Sequence, residues 1–220
     1  MTRVKICGLT QRRDADVAER AGASYLGVIL ASGPRLLDVE HARDVLGPRR
    51  HSVQRVAVFG SIPVEDLLAV SVSLDLDVLQ LHGETSAQQI RLLRTATART
   101  VWPVLRLDGV ALPKEAADLA AAAGALVLDA KVAGRLGGTG VTLDWEGLVR
   151  AVAELRTTVP ALQLVLAGGL REDNVASAIR LLNPEVVDVS SGVETAPGVK
   201  DQSAVERFVS AAKAAKGIER

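Results

Sequence analysis

Arg3-Val4-Lys5-Ile6-Cys7-Gly8-Leu9-Thr10 opens the chain with the pattern from which the rest can be read. Val4 and Ile6 alternate with Lys5 and Cys7, the period of two that a strand requires. Gly8 breaks the strand, and a helical segment begins soon after Thr10. Cys7, the chain's single cysteine, therefore stands at the carboxyl end of a strand, on a strand-to-helix turn. In parallel α/β proteins chemistry gathers at that end, where the connecting loops and helix amino termini converge. A lone cysteine is ordinarily a small core hydrophobe. This placement points instead to a reactive thiol in a cleft.

The same unit recurs to the end of the chain. Short apolar runs at 4–7, 25–30, 55–59, 78–82, 101–105, 125–129, 164–167 and 186–190 read as strands. Segments at 11–21, 39–46, 64–72, 86–97, 114–123, 145–156, 172–182 and 202–215 read as helices. The strands are nearly continuous in apolar residues, the mark of a parallel sheet covered on both faces. Asp38, Thr85 and Asp144 stand where helix caps belong, before Val39, Ser86 and Trp145. Pro63, Pro113, Pro160 and Pro184 punctuate the connections. No composition shift or low-complexity linker divides the chain. Eight βα units in 220 residues, with no strands left over, predict a single-domain (β/α)8 TIM barrel over 1–220. An open doubly wound sheet is the alternative, and it needs fewer or rearranged strands.

Composition narrows the function. Lys plus Arg and Asp plus Glu are equal at 26 each, giving no net charge, and aromatic residues make up only 2%. Neither a basic surface nor stacking platforms speak for nucleic acid. With 48% hydrophobic residues the core is built mostly of Ala, Val, Leu and Ile. The longest nearly apolar run, 119–128, is too short to span a bilayer, and no leader pattern precedes the first strand. The expectation is a cytoplasmic protein that binds neither membrane nor nucleic acid. One cysteine excludes an internal disulfide, and His41, His51 and His82 have no metal-ligand spacing.

In a closed barrel the active site lies on the carboxyl-terminal rim, so residues just after each strand are its candidates. Two glycine-rich turns, Leu166-Ala167-Gly168-Gly169-Leu170 and Asp188-Val189-Ser190-Ser191-Gly192, follow strands seven and eight and lead toward helices. Glycine lets backbone N–H groups approach an anion closely, and these two positions are the usual phosphate site of the fold. Gly138-Thr139-Gly140 lacks the third glycine of a dinucleotide fingerprint, and Gly192 to Gly198 fails the spacing of a nucleotide-binding loop. Asp129 ends strand six, almost opposite strand one. It either caps a turn or faces Cys7 across a substrate as an acid and base pair. Arg35, after Pro34, is either a surface arginine or a fork for a substrate carboxylate. His82 either lines the pocket or packs as a hydrogen-bonded core histidine. Lys5 shares the inward face of Cys7, where an unpaired ammonium is costly. Asp188 on the adjoining strand eight is its expected partner. The segment 131–142, with four glycines, is either a closing loop or a plain connection.

Taken in order, these pieces resemble the phosphoribosylanthranilate isomerase family over nearly the whole chain. The carriers are Val4-Lys-Ile-Cys-Gly-Leu-Thr10, Gly33-Pro-Arg35, Val78-Leu-Gln-Leu-His-Gly-Glu84, Leu128-Asp-Ala130, Gly137-Gly-Thr-Gly140 with Asp144-Trp145, Leu166-Ala-Gly-Gly-Leu170, and Asp188-Val-Ser-Ser-Gly-Val-Glu194 with Pro197-Gly-Val-Lys-Asp201. The resemblance implies an Amadori rearrangement of N-(5-phosphoribosyl)anthranilate in tryptophan biosynthesis, without a cofactor or metal, by a monomer or homodimer. It implies Asp129 as general acid and Cys7 as general base; a thiolate at neutral pH needs a nearby positive field, for which Lys5 and the following helix amino terminus are the candidates. It further implies Arg35 on the anthranilate carboxylate and the turns at Gly168-Gly169 and Ser190-Ser191-Gly192 on the phosphate. The histidine-pathway isomerase of the same fold uses a carboxylate where Cys7 stands, so the thiol separates the two. A catalytically silent phosphosugar-binding protein is the reading from another class.

Overall fold

Alternation within each apolar run sends one set of side chains inward and the other outward, and a ring of such strands hides both sets. The computed structural model describes residues 1–130 and 142–215. The glycine-rich segment expected at 131–142 lies outside them apart from Thr142. The strands are β1 (Arg3–Ile6), β2 (Tyr25–Ile29), β3 (Gln54–Phe59), β4 (Val78–Leu81), β5 (Thr100–Leu107), β6 (Ala125–Ala130), β7 (Gln163–Leu166) and β8 (Val186–Val189). They pair in parallel in sequence order, and β8 returns to β1 to close the barrel. The helices are α1 (Arg12–Ala21), α2 (Val39–Leu46), α3 (Val64–Ser73), α4 (Ala87–Ala96), α5 (Ala116–Ala123), α6 (Trp145–Thr158), α7 (Val175–Leu182) and α8 (Gln202–Ala214). The closed ring replaces the open-sheet alternative. No helix among the described residues is long and apolar enough to cross a membrane.

The barrel interior is divided by height. Its amino-terminal half is filled by Tyr25, Trp102 and a set of valines that includes Val56, Val78, Val127, Val165 and Val186. The Tyr25 and Trp102 rings meet edge-on with centroids 5.0 Å apart, and Trp102 Nε1 donates to Gln163 Oε1 at 3.1 Å. The outward set, Ile6, Leu79, Leu126, Leu164 and their neighbours, packs under the helices. Higher in the barrel the inward residues turn polar. Lys5, wholly buried, stands opposite Asp188 in register and donates to its Oδ2 at 2.8 Å. The expected contact across the closing seam is present. Gly27 makes room for it: a Cβ there would come within 2.9 Å of Lys5 Cε and 3.2 Å of Cys7 Sγ.

Several element ends differ from expectation for local reasons. Ser86, not Thr85, caps α4 by accepting from the Gln89 N–H, while Thr85 donates its hydroxyl hydrogen to Gln89 Oε1. Asp38 and Asp144 cap α2 and α6 as expected. Helix α7 begins at Val175 rather than at 172, because Asn174 accepts from the Arg171 N–H and holds the preceding residues in a turn. Between β8 and α8 the chain does not pass straight into a helix. It makes a 3₁₀ turn (Ser191–Val193) and a small antiparallel hairpin, β9 (Glu194–Ala196) and β10 (Val199–Lys200). Strands of two and three residues are too short to leave a readable period.

Removing one member of a buried ion pair strands the other. Lys5→Met should therefore cost about 3 kcal/mol in urea unfolding, and Lys5→Met/Asp188→Leu should recover most of it. A single variant as stable as the parent would show that the pair contributes nothing.

Candidate active site

The ends of these strands surround a cavity open to solvent, with about 770 Å³ of empty space. It is bordered by Cys7 and Asp129, by Arg35 and His82, by Gly168 and Gly169, and by Ser190, Ser191 and Gly192. All nine residues singled out from the sequence thus meet in one space. Cys7 is held at the seam by its backbone N–H, which donates to the Val189 carbonyl at 2.8 Å. Gly8 follows with a left-handed φ of 67°. A Cβ on Gly8 would sit 2.5 Å from Arg35 Cδ and 2.8 Å from Ser190 Oγ, so only glycine lets those side chains cross the strand end.

The two titrating groups are set by burial first. The Cys7 thiol is only 6% exposed. Burial pushes it above its ordinary value of 9.0, and the neighbouring Lys5 ammonium pulls it back only in part, with Asp188 pushing it up further. Lys5 acts in the expected direction, but desolvation outweighs it, and the resting thiol is protonated at neutral pH. Lys5 itself keeps its proton, because Asp188 overcomes the penalty of burial and raises it. Asp129, 8% exposed, accepts from the Ala130 N–H at 2.9 Å. Burial, then the charge of Asp188, raises its carboxyl to about 6. His82 Nε2 lies 3.7 Å from Asp129 Oδ2, beyond hydrogen-bond reach. Burial, with the charges of Arg106 and Lys5, holds His82 down at about 4. The imidazole beside Asp129 is therefore neutral at neutral pH.

The two glycine turns are built from backbone. Gly168 and Gly169 both take left-handed φ, 85° and 67°, and Asn174 Nδ2 donates to the Gly169 carbonyl at 3.0 Å. A Cβ on Gly168 would lie 2.6 Å from the Ala130 nitrogen, and one on Gly192 would lie 1.9 Å from the Leu170 carbonyl oxygen. The turns after β7 and β8 therefore pack directly on one another. Ser190 Oγ is buried at the cavity edge without a hydrogen-bond partner among the described residues. That donor is left for a bound group.

Sequence reading missed three buried residues here. Gln80 lines the cavity with its Oε1 unpartnered among the described residues, and its inward parity with His82 was the available signal. Glu194 and Lys200 lie in the hairpin, and Glu194 takes the guanidinium of Arg35 in a two-pronged pair. Arg35 is 7% exposed and is no solvated surface arginine.

Comparison with known proteins gives a consistent answer. The sequence profile of the N-(5'phosphoribosyl)anthranilate (PRA) isomerase family matches residues 4–211. An N-(5'-phosphoribosyl)anthranilate isomerase of Thermoanaerobacter sp. is 37% identical over 213 residues, covering 95% of this chain and 97% of that protein. The phosphoribosyl anthranilate isomerase of Thermus thermophilus superposes with a TM-score of 0.80 at 33% identity, over 98% of this chain and 100% of that one. A phosphoribosyl anthranilate isomerase in complex with reduced 1-(o-carboxyphenylamino)-1-deoxyribulose 5-phosphate superposes with a TM-score of 0.78 at 31% identity, over 97% and 99% of the two chains.

A single cysteine makes the thiol directly measurable. The rate of iodoacetamide modification should rise with a midpoint above that of free cysteine, and Asp188→Asn should move it down by removing a charge that opposes the thiolate. A midpoint below that of the free amino acid would contradict the dominance of burial.

Proposed function

The chain belongs to the N-(5'-phosphoribosyl)anthranilate isomerase family, an isomerase of tryptophan biosynthesis, and from that premise we propose how its own residues carry the reaction. The reading rests above all on one observation: the Cys7 thiol and the Asp129 carboxyl border a single cavity together with the glycine turns after β7 and β8. The substrate is N-(5'-phosphoribosyl)anthranilate. Its phosphate lies against the Gly168-Gly169 and Ser190-Ser191-Gly192 turns, and its anthranilate carboxylate on Arg35. The ribose then spans from Asp129 to Cys7.

Asp129 donates its proton to the ring oxygen as the C1–O bond breaks, and the nitrogen lone pair forms the protonated imine. A carboxyl raised to about 6 holds that proton closer to neutrality than an exposed aspartate does. Cys7, as thiolate, takes the proton from C2. The C–H electron pair becomes the C1–C2 double bond, and the imine pair returns to nitrogen. The enolamine then transfers the hydrogen of its C2 hydroxyl to C1 and becomes the ketone. C2 is oxidised and C1 reduced by the same two electrons, and the imine is the electron sink. The imine's positive charge, formed beside a thiol that burial keeps protonated, favours the thiolate at the step that needs it. His82, neutral beside Asp129, offers hydrogen bonds without adding a charge.

The fluorescence decay of N-(5'-phosphoribosyl)anthranilate with purified protein tests this reading. Asp129→Asn and Cys7→Ser should each lower kcat by about 10²- to 10⁴-fold. Full turnover in the Cys7→Ser variant would refute the thiol base.

The pH profile carries a second signature. The productive form has Asp129 protonated and Cys7 ionised, although the acid has the lower pKa of the two. Below about 6 the rate should rise with pH, because thiolate accumulates while Asp129 stays protonated. Above that point gain and loss cancel, giving a plateau until the thiol is fully ionised, after which the rate falls. Profiles of kcat/KM, corrected for uncatalysed decay, should show an acid-side break near 6. A break near the ordinary aspartate value would contradict the buried acid.

A further inference from the structure

Behind Arg35, away from the cavity, stand two buried charges that the reaction scheme leaves without a task. The Glu194 side chain, 4% exposed, accepts from Arg35 Nε at 2.8 Å and from Arg35 Nη2 at 2.5 Å. It also accepts from Lys200 Nζ at 2.7 Å and from the Gly198 N–H at 3.3 Å. Lys200, whose side chain is wholly enclosed, donates a second hydrogen bond to the Ser190 carbonyl at 3.2 Å. Its backbone N–H is held by Asp14 Oδ2 of α1 at 3.0 Å. Arg35 and Ser190 border the cavity; Glu194 and Lys200 do not.

A guanidinium has two edges that can grip a carboxylate with parallel hydrogen bonds. Glu194 occupies the side edge, Nε with Nη2. The end edge, Nη1 with the second N–H of Nη2, has no protein acceptor among the described residues. The charges point the same way. Arg35 and Glu194 alone would cancel, and the guanidinium would draw an anion weakly. Lys200 adds a second ammonium, lowered by burial and only partly restored by Glu194, so that with its proton the three side chains carry one net positive charge. A buried charge of that kind calls for an anionic partner, and Arg35 is the member that reaches the cavity.

We propose that Glu194 is a positioning residue: it locks Arg35 by its side edge so that the free edge meets the substrate's aromatic carboxylate, while Lys200 keeps the group cationic and ties it to Ser190 at the phosphate turn. The inference rests on the reading of Arg35 as the anthranilate clamp and assigns what aims that clamp. Glu194 acts on affinity for one substituent of the substrate, through Arg35, and takes no part in proton transfer.

Two ligands separate this role from a structural one: reduced 1-(o-carboxyphenylamino)-1-deoxyribulose 5-phosphate and its counterpart whose ring lacks the carboxylate. In calorimetric titration, Glu194→Gln should weaken the carboxylated ligand about 10-fold and the other less than about 2-fold. Binding of the second ligand reports that the site is still folded. Lys200→Met should show the same selectivity. In an Arg35→Met background, Glu194→Gln should have no further selective effect, the pattern of two residues acting through one contact. With substrate, Glu194→Gln should raise KM more than it lowers kcat. Equal weakening of both ligands, or unchanged binding of the carboxylated one, would overturn the proposal. If the parent turns over N-(5'-phosphoribosyl)anthranilate yet binds both ligands equally, this inference alone falls. If the parent fails to turn it over, the proposed function falls with it.

Discussion

An ammonium enclosed in a ring of strands must find a counter-charge, and the Lys5–Asp188 pair is the contact on which the upper half of this barrel depends. It joins β1 to β8, the two ends of the chain's sheet, at the seam where closure occurs. Its charges also reach both Cys7 and Asp129. Lys5 tempers the thiol, and Asp188 raises both the thiol and the Asp129 carboxyl. One ion pair thus serves the closure of the fold and the electrostatics of the site. Glycine at position 27 is what leaves space for it on the neighbouring strand.

The division of the barrel by height explains how one sheet serves two purposes. Inward positions near the amino-terminal end carry Val, Tyr and Trp and form a packed interior. The same parity two residues later carries Gln80, Asp129 and Asp188, and Lys5 stands beside Asp188 on β1. Burial there is deep enough to shift titrating groups yet open to the cavity. The result is a weakened acid and a weakened thiol bordering one cavity, each moved by desolvation more than by any single neighbour. The thiol therefore rests protonated at neutral pH, and the carboxyl gives up its proton only near 6.

The hairpin after β8 shows how short irregular segments organise a site. It is too small to contribute much core, but it is pinned from several sides. Thr10 donates its hydroxyl hydrogen to the Gly198 carbonyl, Asp14 receives the Lys200 N–H, and Glu194 meets Arg35 from the β2–α2 connection. Three stretches far apart in sequence are therefore fixed relative to one another around the cavity rim.

The repeating units and their order were legible from local pattern, because a two-residue period and apolar runs on both faces permit few other arrangements; closure was expected from the count of eight units, and the pairing of β8 with β1 decided it. Rim residues such as Cys7, Asp129 and the two glycine turns were legible for the same reason, since parity and strand end determine where they point. Even the Lys5–Asp188 pair followed from parity and the neighbouring of the first and last strands. The net direction of the thiol's shift did not, because it depends on how completely the folded chain removes water from Sγ. Nor did the Arg35–Glu194–Lys200 group, whose members are separated by 159 and 6 residues and share no period. Local sequence carries the geometry of each strand and turn; desolvation and long-range charge pairing exist only once the ring has closed.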